Sequence, residues 1–122
     1  MQRVAFITTE SGTDLIVSFA IEVEPYLPGD VKSLTLLRTP KFEFALDESQ
    51  RGPSVSYDDL ADEDFDRLES VELERSAVRI RTQRREYALD TRGVNLDEMR
   101  RAAEILHKMN FDDSFLLKAG SV

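Results

Sequence analysis

The sequence predicts an α+β fold: about seven mostly antiparallel strands that form a bent sheet or sandwich, with one C-terminal amphipathic helix. Three observations indicate this. Apolar residues recur at every second position over much of the chain, turn-forming residues separate these runs, and a clear helical period begins near residue 95. The 122 residues are close to the commonest domain size, so we expect a single domain over 1–122.

The N-terminal half predicts four strands, over residues 4–8, 15–23, 31–38 and 42–46. The second is the clearest, because Leu15, Val17, Phe19, Ile21 and Val23 occupy five successive odd positions. Pro40 ends the third strand, since proline has no backbone N–H to donate to a sheet. In the fourth, Phe42, Phe44 and Leu46 alternate with polar or small residues.

The middle of the chain predicts a short strand over 54–57, then a loop over 58–68 containing one helical turn at most. A three-stranded meander follows, because apolar residues alternate with charged ones in three short runs. The apolar members are Val71 and Leu73, Val78 and Ile80, and Tyr87 and Leu89.

The predicted helix begins after Asn95, a good N-cap, and ends near Asn110. Glu98 stands at the third helical position, where it would complete a capping box with Asn95. Beyond the helix, Phe111 and residues 115–117 form an apolar tail. This tail must pack on the core or on a second copy, so a homodimer through residues 111–117 is one expectation.

The composition narrows the function. The net charge is −8 and the isoelectric point is about 4.7, which opposes binding to nucleic acid or to an anionic membrane and favours a basic protein partner. There is no cysteine, so disulfides, thiolate chemistry and cysteine zinc sites are excluded. No apolar run reaches the length of a secretory signal or a membrane span, and we expect a cytoplasmic protein.

Acidic residues are concentrated after residue 57. Residues 58–74 hold nine acids and one arginine, whereas residues 75–85 hold five arginines and no acid. Glu72 and Glu74 are expected to lie opposite Arg79 and Arg81 in a hairpin. The six acids between Asp58 and Asp66 would remain available to a cationic partner.

No metal, cofactor or catalytic site is predicted. Asp62, Asp64 and Asp66 have the spacing of the first calcium ligands in an EF-hand, but Arg67 replaces the glycine and Leu73 replaces the final glutamate. The single histidine, His107, falls at the edge of the helix's apolar face. Ser54 lacks the second glycine of a nucleophile elbow. We expect a protein that is not an enzyme, and the one catalytic arrangement that the sequence leaves open is an acid–base pair among its 24 acids.

Three stretches together resemble a family. They are 34–38 (LTLLR), 52–59 (GPSVSYDD) and 71–80 (VELERSAVRI), followed by a C-terminal helix. This arrangement resembles one group of small bacterial immunity proteins, which neutralise toxins of polymorphic toxin systems. The resemblance implies a non-enzymatic inhibitor of a toxin domain, with Tyr57, Asp58 and Asp59 at the interface.

We therefore expect an acidic protein-binding module, immunity-like, that occludes a basic toxin domain. The expected partner-binding residues are Tyr57, Asp58, Asp59, Asp62, Asp64 and Phe65, in which the carboxylates steer the partner and the two aromatic rings anchor it. The alternative is a domain that binds a small ligand or a divalent ion, with its pocket between sheet and helix.

Overall fold

The computed structural model describes residues 1–23, 30–58 and 65–120. They form one eight-stranded mixed sheet and one α-helix. The elements in chain order are β1 (Gln2–Ser11), β2 (Leu15–Glu22), β3 (Val31–Arg38), β4 (Ser54–Tyr57), β5 (Leu68–Leu73), β6 (Ala77–Thr82), β7 (Glu86–Asp90), α1 (Leu96–Met109) and β8 (Leu116–Ala119). The α+β class is confirmed, with eight strands where about seven were expected.

The strand order in the sheet is β4-β3-β2-β1-β7-β6-β5-β8. Five of the seven pairings are antiparallel, while β1 pairs with β7 and β5 pairs with β8 in parallel. One further antiparallel bridge joins Ser54 of β4 to Arg67, immediately before β5. This bridge connects strands that lie six places apart in the sheet order, so the sheet is strongly bent.

The concave side of the bent sheet holds the core. The odd-numbered residues of β2 from Leu15 to Ile21 are buried, as their alternation predicted. Helix α1 covers β1 and β2, and its buried residues Met99, Ala102, Leu106 and Met109 fill the space beneath it. These side chains pack the described part of α1 against the sheet, and a ligand pocket between sheet and helix stays a prediction. None of the helices in the described ranges has the length and apolar character that a membrane span needs.

The prediction of a strand over residues 42–46 is wrong. Residues Pro40–Ala45 form a 3₁₀ helix, and a second one follows at Glu48–Gln50. Pro40 occupies the first turn, where its missing N–H costs nothing. Both guanidinium–carboxylate bonds between Arg38 and Glu43 need the chain to turn back within five residues, which an extended strand does not allow.

The apolar tail after α1 packs on the chain's own core. Phe115 is buried, and the residues that follow it form β8 against β5. Phe111 and Leu116 remain exposed. A homodimer through these two exposed side chains stays a prediction.

The N-terminus of α1 is capped differently from the expected capping box. Asn95 Oδ1 accepts a hydrogen bond from the Asp97 N–H at 2.7 Å, as a cap should. Glu98 Oε1 instead accepts from the Ile7 N–H of β1, also at 2.7 Å. Strand β1 pairs with β7 only at Gln2 and Arg3, so its later N–H groups on that edge need another acceptor. Glu98 supplies one.

We expect Glu98→Ala to lower the free energy of unfolding by about 1–3 kcal/mol, because it leaves the half-buried Ile7 N–H without its acceptor. Glu98→Gln keeps a side-chain oxygen and should lose less. Urea unfolding measures both. The matched control is Glu104→Ala on the exposed face of α1, and an equal loss in Glu98→Ala and Glu104→Ala would contradict the assignment.

Candidate functional site

The acidic segment, residues 58–66, begins at Asp58, directly after β4. Asp58 donates its backbone N–H to the Ser33 carbonyl at 3.2 Å, and its Oδ2 accepts from the Ser33 N–H at 2.9 Å. These two bonds fix the point of departure on β3. The Asp58 carboxylate is exposed, so it is tethered and still faces solvent.

The segment returns at Phe65 and Asp66. The Asp66 carbonyl accepts from the Val55 N–H at 2.9 Å, which ties the returning chain to β4. Asp66 itself is only 2% exposed. Its Oδ2 accepts from the Thr82 hydroxyl at 2.7 Å and lies 3.9 Å from the Arg85 guanidinium. Asp66 thus anchors the segment and is not available to a cation in solution.

The six predicted partner-binding residues divide into two groups. Tyr57, Asp58 and Phe65 are described by the structure, whereas Asp59, Asp62 and Asp64 lie outside the described residues. Tyr57 is half-buried, and its ring meets the Tyr87 ring edge-on at 6.0 Å. Its hydroxyl accepts from Gln2 Nε2 at 3.1 Å. Phe65 is half-buried and lies 5.8 Å from the Arg67 guanidinium.

Two arginines of the hairpin lie near carboxylates of the neighbouring strand. Glu72 lies opposite Arg79, as predicted. The predicted pairing of Glu74 with Arg81 is wrong, since Glu74 belongs to the turn and donates its N–H to the Ala77 carbonyl. The register that pairs Glu72 with Arg79 places Arg81 opposite Ser70, and the Arg81 guanidinium lies 3.9 Å from Glu69.

The outer face of β5, β6, β7 and β8 forms a shallow cavity of about 450 Å³. Charges of both signs line it: Glu72, Arg79, Arg81, Glu86 and Lys118. Lys118 lies 4.0 Å from Glu72. Such a mixed surface lacks the one-signed field that phosphate binding requires.

A buried arginine forms the densest polar cluster among the described residues. Arg38, the last residue of β3, is 3% exposed. Its guanidinium bonds to Glu43 through Nε at 2.7 Å and Nη2 at 2.9 Å, and to both oxygens of Asp112 at 2.8 Å. Nη1 also donates to the Met109 carbonyl at 2.7 Å and to the Ser114 hydroxyl at 3.2 Å. The Phe111 ring covers the guanidinium carbon at 4.2 Å.

These bonds shift the titration of all three groups. Burial alone would lower the pKa of Arg38, but its hydrogen bonds to Asp112 and Glu43 outweigh that effect and raise the pKa. The hydrogen bonds from Arg38 lower the pKa of Glu43 below its ordinary value and that of Asp112 to about 2. The cluster is therefore fully ionised at neutral pH.

The sequence carried one unused signal for this cluster. Leu34 and Leu36 point into the core, and Arg38 continues the same alternation. A charged residue at an inward strand position needs a buried counter-charge. Asp112 lies 74 residues away in the chain, so no local pattern identifies it as the partner.

A second cavity, of about 460 Å³, opens beside Arg38. Its walls come from the 3₁₀ helices, the start of β5 and the loop after α1. Phe44 and Phe111 line it and are 80% and 62% exposed, respectively. Arg51 and Arg67 line it as well, so aromatic rings and guanidinium groups meet in one cavity that sequence reasoning did not predict.

Two other expectations concern chemistry. His107 is exposed on α1, and the Ser54 hydroxyl donates to the Leu37 carbonyl at 3.4 Å. Within the described ranges, no group of three or more His, Asp or Glu side chains is arranged so that it could hold a metal ion.

Comparison of the chain with protein families, curated proteins and solved structures finds no match. The resemblance to immunity proteins stays a prediction.

We expect Arg38→Ala to destabilise the fold by about 3–5 kcal/mol, because removing one partner of a buried ion pair leaves the other charges uncompensated. Arg38→Lys keeps the charge but not the planar fork, and should be intermediate. Urea unfolding at pH 7 measures both. Arg100→Ala is the control, since Arg100 is exposed on α1, and a similar midpoint for all variants would contradict a structural role.

Stability should also depend on pH through Asp112. Because its folded pKa of about 2 lies below the ordinary value, its contribution is complete above about pH 5 and disappears as the pH falls towards 2. Asp112→Asn should thus be less stable than the wild type at pH 7, and the two urea midpoints should converge on acidification. The control is Asp113→Asn, at the exposed neighbouring position, whose urea midpoint should change with pH as that of the wild type does. If the midpoint of Asp112→Asn also stayed at a constant distance from that of the wild type across this pH range, the linkage would be contradicted.

Proposed function

We propose that this protein is an acidic, non-enzymatic protein-binding module of the immunity type, which inhibits a basic toxin domain by covering it. The observation that carries the proposal is the anchoring of Asp58 and Asp66, the two ends of the acidic segment. Six acids fall in this segment, and the described contacts fasten both of its ends to the sheet.

The anchoring of the segment supports its use as a recognition element. Asp58 is held by Ser33 at one end, and Asp66 is held by Val55 and Thr82 at the other. A segment with fixed ends loses less conformational freedom on binding than a free tail does. In the sequence, four further acids lie between these two anchored residues.

The distribution of the remaining charge supports a basic partner. The arginines of β6 face acids of β5 within the same sheet, and Arg38 is matched by two carboxylates. The chain as a whole has a net charge of −8. An acidic surface raises the rate at which a basic partner associates and makes that rate sensitive to salt.

The two aromatic residues, Tyr57 and Phe65, are given different roles in this proposal. Tyr57 packs against Tyr87 and binds Gln2, so its main contribution is to hold the end of β4 in place. Phe65 has a half-exposed ring at the return of the segment. We assign the anchor role to Phe65 and a positioning role to Tyr57.

Ligand binding is a second candidate function, favoured by the aromatic and arginine-lined cavity beside Arg38. It differs from the first in requiring no protein partner. The expectation of a divalent-ion site has no supporting observation within the described residues.

The triple change Asp59→Lys, Asp62→Lys and Asp64→Lys should reduce capture of a basic partner by about tenfold or more, because it removes the charges that steer association. Asp58 is left intact, since its carboxylate binds the Ser33 N–H. The measurement is a pull-down from lysate of the producing organism at low and high salt, followed by association kinetics with the captured protein.

The control makes the same change in net charge elsewhere, with Glu10→Lys, Glu74→Lys and Glu104→Lys at exposed positions. We expect it to retain most of the binding. Equal losses in the two variants would show that overall charge, and not the segment, governs association. Unchanged binding by the first variant would refute the proposal.

A further inference from the structure

The cavity beside Arg38 contains a buried donor without an acceptor. Arg67 Nε–H is inaccessible to solvent and has no hydrogen-bond partner among the described residues. The other end of the same side chain donates from Nη2 to the Glu48 carbonyl at 2.7 Å, so the guanidinium is held in place. A buried N–H without an acceptor is uncommon and calls for an explanation.

Arg51 adds a second guanidinium group to the cavity. Its Nε donates to the Leu46 carbonyl at 3.1 Å, and Nη2 makes a long contact of 3.5 Å to the Phe44 carbonyl. Within the described part of the chain, no carboxylate oxygen lies within 4.0 Å of Arg51 or Arg67. Arg38, in contrast, has two carboxylates. Among the described residues, Arg38 thus has carboxylate partners in this cavity, and Arg51 and Arg67 have none.

Gly52 packs beside the orphan donor. Its φ of +98° belongs to the region that favours glycine, and a Cβ there would lie 3.8 Å from Arg67 Nε, an ordinary contact distance. Gly52 also lines the cavity. Its backbone N–H is therefore a direct reporter of binding in the cavity.

We propose that this cavity binds a carboxylate carried on an apolar or aromatic body. Arg67, with Arg51 beside it, receives the carboxylate, and Phe44 and Phe111 cover the apolar part. A guanidinium fork matches the geometry of a carboxylate, and both rings have apolar surface left to bury.

The charge of the lining favours a monoanion over a dianion. Three arginines and three acids line the cavity, the acids being Glu43, Glu48 and Asp112, so the lining as a whole is neutral. Glu43 and Asp112 are bound to Arg38, whereas Arg51 and Arg67 have no carboxylate partner among the described residues. One carboxylate can meet these two guanidinium groups, while a phosphate dianion would face stronger repulsion from the three acids.

The carboxylate has two possible sources, a small aromatic acid or the C-terminus of a peptide ending in an apolar residue. Titration of ¹⁵N-labelled protein followed by NMR separates them. Phenylacetate represents the small acid, and N-acetyl-glycyl-phenylalanine represents the chain terminus. Phenylacetamide and the peptide amide are the neutral controls, and phenyl phosphate is the dianion.

We expect both carboxylates to shift the resonances of Gly52, Phe44 and Phe111, and to bind about tenfold more tightly than their amides. The tighter of the two identifies the source. Phenyl phosphate should bind more weakly than phenylacetate. Equal binding of phenylacetate and phenylacetamide, or no shift at Gly52 with phenylacetate at about 20 mM, would overturn the proposal.

Two variants test the roles of the residues. Arg67→Lys removes the Nε–H but keeps the charge, and should weaken phenylacetate binding about tenfold. Phe44→Ala removes an exposed wall of the cavity, where the fold does not depend on it, and should weaken phenylacetate and phenylacetamide alike. Arg100→Lys, on α1 away from the cavity lining, is the control. Because these probes need no protein partner, their result is independent of the proposed inhibitor function.

Discussion

The Arg38 guanidinium bonds to the first 3₁₀ helix through Glu43, to the end of α1 through the Met109 carbonyl, and to the following loop through Asp112. A helix ends with carbonyl groups that have no partner within the helix, and Arg38 satisfies one of them while its charge complements the helix dipole. Three segments are thereby fixed to the end of β3, and two of them are joined to it across 71 and 74 residues of the chain. Burying one cation at this junction is favourable because every acceptor around it is already in place.

The same junction determines the surface around it. The turn that brings Glu43 to Arg38 forces residues 40–45 out of the sheet, which leaves the Phe44 ring in solvent. Phe111 lies over the guanidinium and forms the facing wall. Arg67 then connects this cavity to the acidic segment, because it follows Phe65 and Asp66 directly and pairs with Ser54. Ligand binding in the cavity would thus act next to the anchored end of the proposed recognition segment.

The two charge clusters of the chain have different surroundings. In the hairpin of β5 and β6, Arg79 lies opposite Glu72 and Arg81 lies 3.9 Å from Glu69, so these arginines have acidic neighbours in the same sheet. Six acids fall within residues 58–66, and the first and last of them bind Ser33 and Thr82. This density of acids in the sequence, between two anchored residues, is the physical basis of the proposed recognition of a basic partner.

The sequence alone determined those features that depend on neighbouring residues. The alternation in β2, the helix from Leu96 to Met109 with its Asn95 cap, and the Glu72–Arg79 pair each follow from patterns a few residues long. Tertiary structure decided the rest. Glu98 binds Ile7 across 91 positions and Arg38 binds Asp112 across 74, and the parallel pairing of β8 with β5 joins distant segments. Alternation of apolar residues indicates which face of a strand is buried. Which groups then become partners depends on the segments that folding brings together. Residues 42–46 turn back because Glu43 binds the buried Arg38, a contact that their alternation does not indicate.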